Sequence, residues 1–100
     1  MEEQILLTNL YDYYKELLTN KQQNYFEEYY FNNLSLSEIS ENYNVSRNAV
    51  HKQLKEISSK LLEYEEKLKL LNKSKKIKKL IENIDGKLKK EIESLIWKGC

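Results

Sequence analysis

The sequence predicts an all-α fold, and three observations predict it. The 100 residues include no proline and only two glycines, Gly86 and Gly99, so little in the chain interrupts a helix. Leu, Lys and Glu dominate the composition, and all three are good helix formers. Apolar residues recur at spacings of three and four along nearly the whole length. A charged content of 33% would also suit a disordered chain, but eight tyrosines and two phenylalanines, mostly before residue 44, supply the apolar mass that disorder lacks.

The first helix is expected from about Glu3 to Leu18. Leu6, Leu7, Leu10, Tyr14, Leu17 and Leu18 make its apolar face, widened by Tyr11 and Tyr13. Thr19-Asn20-Lys21-Gln22 reads as a capping box that opens a second helix to about Phe31, with Phe26, Tyr29 and Tyr30 inward. Asn32 and Asn33 suit its end, because asparagine tolerates the left-handed conformation. Ser35-Leu36-Ser37-Glu38 is a second capping box, opening a short helix from Leu36 to about Asn42. Asn44 can supply the positive φ of a tight turn, and Ser46 is a good N-cap for the next helix. Two helices joined by so short a turn make a helix-turn-helix, here spanning 36–57.

The helix after Ser46 is expected to be long, reaching about Asn72. Val50, Leu54, Ile57, Leu61, Tyr64, Leu68 and Leu71 alternate spacings of four and three, an a/d seam of three heptads. Two uses of that seam stand open: a homodimer through Val50–Leu71, with Lys60 and Glu65 as a cross-pair, or packing on the chain's own C-terminal helices. Leu62 and Leu70 lie off the seam, which calls for more than one neighbour. Beyond the basic run Lys73–Lys79, Ile77, Leu80, Ile81 and Ile84 continue a stripe, Asp85-Gly86 suggests a break, and Leu88, Ile92, Leu95 and Ile96 give a last helix that Trp97 would pin. Residues 1–72 are thus expected to form a helix-turn-helix domain, and 73–100 a C-terminal helical extension of it.

Within 36–57 the small Ser40 sits where the two helices would cross, and Val45 plugs the gap after the turn. With Val50, Leu54 and Ile57 inward, Asn48, Lys52, Lys55 and Ser59 point outward, flanked by Arg47 and His51. Arg and Lys can read guanine, Asn can read adenine, and Ser46 with the helix N-terminus can add a phosphate contact. The candidate DNA-binding residues are therefore Ser46, Arg47, Asn48, His51, Lys52 and Lys55, with double-stranded DNA as partner. Charge agrees: residues 1–45 hold eight acidic and two basic side chains, net −6, while 46–100 hold eight acidic and fifteen basic, net +7. Only part of such a chain faces a polyanion. The alternative is a three-helix core unit with a solvated outer face.

Several blocks carry a resemblance: Leu18-Thr19-Asn20-Lys21-Gln22-Gln23, Tyr29-Tyr30, Leu36-Ser37-Glu38-Ile39-Ser40-Glu41, Val45-Ser46-Arg47-Asn48-Ala49-Val50 and Leu62-Glu63-Tyr64-Glu65-Glu66-Lys67-Leu68. Together they resemble the YlxM-like family of small bacterial proteins, whose helix-turn-helix is similar to region 4 of sigma factors. Ser40 and Asn44 stand where that pattern more often has alanine and glycine, and the part after Asn72 matches loosely. The resemblance implies a regulatory role linked to the signal recognition particle pathway, with components of that particle as partners. A non-DNA-binding accessory factor that docks such a protein or ribonucleoprotein is the other reading.

Other chemistry finds no support. His51 is the lone histidine and Cys100 the lone cysteine, so no zinc set exists. There is no glycine-rich phosphate loop. Glu27-Glu28 and Glu65-Glu66 are adjacent pairs whose carboxylates diverge on a helix. Neither an enzyme nor a cofactor is expected. The tyrosines before residue 44 sit among acidic neighbours, which favours core packing over base stacking, and the Lys73–Lys79 run reads as a solvated face or a nucleic-acid contact. One cysteine, an acidic start and no apolar run near the ~20 residues of a membrane span point to a cytoplasmic chain that does not enter the bilayer.

Overall fold

A computed structural model describes residues 2–96. Among them the order is α1 (Glu2–Tyr14), a 3-10 turn (Lys15–Leu17), α2 (Asn20–Tyr30), α3 (Leu36–Tyr43), α4 (Arg47–Leu68), α5 (Leu70–Leu80) and α6 (Gly86–Ile96). The all-α reading is correct. Both capping boxes form in full. Thr19 accepts from the amide of Gln22, whose side chain accepts in return, and Ser35 and Glu38 do the same. Ser46 caps α4 by accepting from the amide of Ala49.

The core lies between α4 and the three helices before it. Val50, Ile57 and Leu61 of α4, Ile39 of α3, Phe26 of α2 and Leu10 of α1 are wholly buried together. The tyrosines are packing material. The Tyr11 ring stacks on Phe26 at 4.3 Å, Tyr25 meets Tyr43 edge-on at 4.9 Å, and Tyr14 tilts against Tyr64 at 5.9 Å.

Four expectations are corrected. First, the α-helical part of the first helix stops at Tyr14 and tightens into the 3-10 turn. Leu6 and Leu17 are exposed, while Leu7, Leu10, Tyr11, Tyr14 and Leu18 are buried. Second, α2 turns Tyr25 and Phe26 inward and leaves Tyr29 exposed. Tyr25 packs edge-on against Tyr43 of α3, a partner that α2's own spacing does not encode.

Third, the long helix ends at Leu68. Lys69 adopts φ 57°, ψ 33°, and a new helix starts at Leu70. Left-handed backbone costs a side-chain-bearing residue about 1–2 kcal/mol, and contacts distant in sequence hold it there. The Glu65 carboxylate accepts from the Tyr14 hydroxyl at 2.6 Å and from the amides of Leu71 at 3.1 Å and Asn72 at 3.0 Å. The Tyr14 hydroxyl accepts in turn from the Leu70 amide at 3.0 Å. Tyr14 and Glu65 thus cap the first three amides of α5, a task Lys69 cannot perform. Glu65 is engaged inside the chain, not offered to a partner's Lys60. The seam residues Val50, Leu54, Ile57, Leu61 and Leu71 are buried in the chain's own core, whereas Leu68 is exposed. α4 does meet several neighbours, but Leu62 is exposed, and Leu70 belongs to α5, where it lines a pocket with Tyr13 of α1 and Ile96 of α6.

Fourth, the break near Asp85 is real, yet Gly86 does not cause it. Residues 81–85 make the turn, and Gly86 is the first residue of α6, where an added Cβ would touch nothing within 4 Å. α6 buries no residue fully; Leu88 and Leu95 lie exposed. Trp97 and Cys100 fall outside the described residues.

Candidate nucleic-acid interface

The turn between α3 and α4 is built locally. Asn44 takes the left-handed conformation at φ 54°, ψ 46°, and its amide reaches back to Glu41 and Ser40. The Val45 amide donates to the Ser40 carbonyl at 3.0 Å, closing the corner. Ser40 keeps its hydroxyl on the Ser37 carbonyl at 2.7 Å, and Val45 packs against the core. Ile39 of α3 and Val50 of α4 are buried, locking the angle between the helices.

That geometry fixes which side of α4 is free. Val50, Leu54, Ile57 and Leu61 point into the core, so the opposite side faces solvent. Ser46, Arg47, Asn48, His51, Lys52 and Lys55 are all exposed. At about 100° per residue, Asn48, Lys52 and Lys55 share one stripe, with His51 beside it and Arg47 at its edge. From Arg47 to Lys55 the surface runs about 12 Å by the 1.5 Å rise per residue, comparable to the width of a major groove. Among the described residues no ion pair engages Arg47, Lys52 or Lys55.

The N-terminus of α4 opens on the same surface. Ser46 Oγ satisfies the Ala49 amide and its carbonyl the Val50 amide. The amides of Arg47 and Asn48 have no intrahelical acceptor and can meet an anion such as a phosphate. The C-terminal helices do not cover this end: α5 starts about 33 Å further along the 22-residue α4.

Two acidic groups beside the surface escaped the sequence reading. Glu56 is exposed one turn beyond Lys52, and Glu41 is exposed on α3 just before the turn. The Lys52–Glu56 spacing of four was the available clue. Both carboxylates repel a phosphate backbone and narrow the cationic surface to Arg47, Lys52 and Lys55. Among the described residues no group of His, Cys, Asp and Glu could hold a metal ion, and no helix is long and apolar enough to cross a membrane.

The arrangement has relatives. A protein of Desulforamulus reducens, a "UPF0122 protein", is 50% identical over 90 residues, covering 86% of this chain and 77% of the relative. A "UPF0122 protein" of Geobacillus kaustophilus is 43% identical over 84 residues, covering 84% and 76%. One from Bacillus cereus is 39% identical over 105 residues, covering 95% of this chain and 96% of its own. Residues 1–97 match the family described as "Putative helix-turn-helix protein, YlxM / p13 like". With a capped, left-handed turn between α3 and α4 and a match over nearly its whole length, the chain belongs to this helix-turn-helix family, UPF0122.

Proposed function

We propose that this chain is a non-catalytic, cytoplasmic DNA-binding regulator that lays the N-terminal half of α4 in a major groove. Asn48 meets base edges, Arg47, Lys52 and Lys55 neutralise phosphates as α4 enters the groove, His51 lines the groove, and Ser46 with the α4 N-terminus takes a further phosphate. One observation carries the reading: all six side chains are exposed on one end of α4, behind a well-formed turn, and no other helix covers them.

Fluorescence anisotropy tests it with two labelled duplexes, one from the promoter of the chain's own operon and one scrambled. Three cations on the face give a slope of log K against log salt near −2.7, at about 0.9 per phosphate neutralised. An Arg47→Ala/Lys52→Ala variant leaves one cation and a slope near −0.9. Preference for the promoter, with that loss of slope, is the expected result. Absence of binding to either duplex at low salt would remove the proposal.

A second reading has its own support. The groups beside the reading face include Glu41 and Glu56, and the most basic element of the chain is the α5–α6 segment, not α4. In this reading the helix-turn-helix is a scaffold and the chain is an accessory factor that docks a component of the signal recognition particle. Co-purification with that particle after loss of Arg47 and Lys52 would favour it.

A further inference from the structure

The described chain is electrically bipolar. Residues 2–68 carry twelve acidic and seven basic side chains, net −5, and residues 69–96 carry four acidic and nine basic, net +5. Each pole also exposes large apolar side chains. On the basic α5–α6 hairpin Leu80 is 80% and Leu95 84% exposed, with Lys76 and Lys79 flanking Leu80. At the start of α1, Ile5 is 59% exposed, with Leu6 beside it and Glu2 and Glu3 exposed around it. A groove of about 450 Å³ opens there, lined among others by Glu3, Leu7, Tyr29, Tyr30 and Leu34.

These surfaces cannot meet within one chain. The hairpin docks at the C-terminal end of α1, where Tyr13 and Ser74 both donate to the Ile96 carbonyl, at 3.3 and 3.0 Å. The groove lies at the other end of this 13-residue helix, about 20 Å away. A second copy can reach it.

We propose that the chain forms a two-fold dimer in which the basic hairpin of each copy seats on the acidic, aromatic groove of the other. Charge complementarity selects a second copy as occupant, and the exposed leucines supply apolar contact that a bare phosphate backbone would not use. Contact between one short hairpin and one groove is small. Closure about a two-fold axis makes it twice and stops the head-to-tail growth that a single such contact would drive. The near-zero summed charge of the described residues removes the long-range repulsion that keeps many small proteins apart.

Sedimentation equilibrium on the full chain tests this without DNA. The expected mass is twice that of one chain, falling toward one as salt rises. Lys76→Glu/Lys79→Glu and Glu2→Lys/Glu3→Lys should each associate about a hundredfold more weakly, since two attractive pairs become repulsive in each contact. Mixing the two variants restores opposite charge at both contacts and should restore the dimer. Leu80→Ser should weaken the dimer without changing its salt dependence. Unchanged melting temperatures certify that the variants are folded. A single-chain mass for the unmodified protein at low salt, a double mass in both charge variants, or mixing without recovery would overturn the proposal. So would unlimited growth, or a monomer that binds anionic vesicles through the hairpin.

Discussion

Replacing Glu65 with alanine should destabilise the chain far more than its half-exposed position suggests. Its two carboxylate oxygens accept three hydrogen bonds, from the Tyr14 hydroxyl and the amides of Leu71 and Asn72. Asn72 is exposed, and water can replace the acceptor there. Leu71 and Tyr14 are buried, so their donors would be left unpaired. At about 1–1.5 kcal/mol for each stranded donor, and somewhat more because the acceptor is charged, the loss comes to about 3 kcal/mol. For a chain of this size that lowers the melting temperature by roughly 12–24 °C. Thermal melts followed by circular dichroism provide the assay, with Glu66→Ala on the exposed neighbouring residue as control. Tyr14→Phe alone should cost about 1 kcal/mol. The double variant should fall short of the sum by about 1 kcal/mol, because the two residues share one bond. Hydrogen exchange should report lost protection at Leu71 and Asn72 first. A Glu65→Ala melt indistinguishable from Glu66→Ala would refute the reasoning.

The corner at Asn44 should tolerate glycine, with a change of at most about 0.5 kcal/mol in urea denaturation, whereas Asn44→Val should cost about 1–2 kcal/mol because a β-branched side chain resists φ 54°. At alkaline pH, burial and the hydrogen bond to Glu65 push the Tyr14 hydroxyl up to about 12. Burial and the bond to Glu27 raise Tyr11 too. These folded-state values lie above the ordinary tyrosine value near 10. The stabilisation is therefore complete below about pH 10 and is lost as pH rises toward and past 12. Urea midpoints should hold steady up to about pH 10 and drop above it, and Tyr14→Phe should flatten that drop.

Much of the fold was legible because its determinants are local. Thr19 with Gln22, Ser35 with Glu38, and Ser46 each cap a helix through side chains within three residues, and Asn44 turns the corner by itself. The exposure of Arg47, Asn48 and Lys52 followed from the same spacing that buries Val50, Leu54 and Ile57. What was misread depends on distant partners. Nothing near Lys69 announces a break: the 3,4 spacing from Leu61 to Leu71 runs straight across it, and the residue in the left-handed conformation is a lysine. The break is fixed by Tyr14, 51 residues before Glu65, and hydrogen bonds at that separation have no periodicity to read. The choice of Tyr25 over Tyr29 as the inward ring is of the same kind. Tyr25 has Tyr43 of α3 to pack on, a contact between two helices that the spacing of α2 alone does not reveal.

α4 is the element that ties these features together, and its length separates them. Its first three turns carry the exposed cationic face, its middle is buried in the core, and its last turns hold Glu65 and the hinge at Lys69. Lys52 and Glu65 lie 13 residues apart on one rigid helix, about 20 Å, with Ile57 and Leu61 packed between them. Over that distance, and with no shared partner, substitutions at the two ends should add in their effect on stability. The proposed dimer would hold two α4 helices in fixed relation about its two-fold axis. Duplex binding by such a dimer should steepen the salt slope from about −2.7 to about −5.4, as two faces engage. The Glu2→Lys/Glu3→Lys variant should return it to the single-face value, although neither residue belongs to α4. A slope indifferent to that variant would mean that each copy reads DNA alone, whatever the hairpin does.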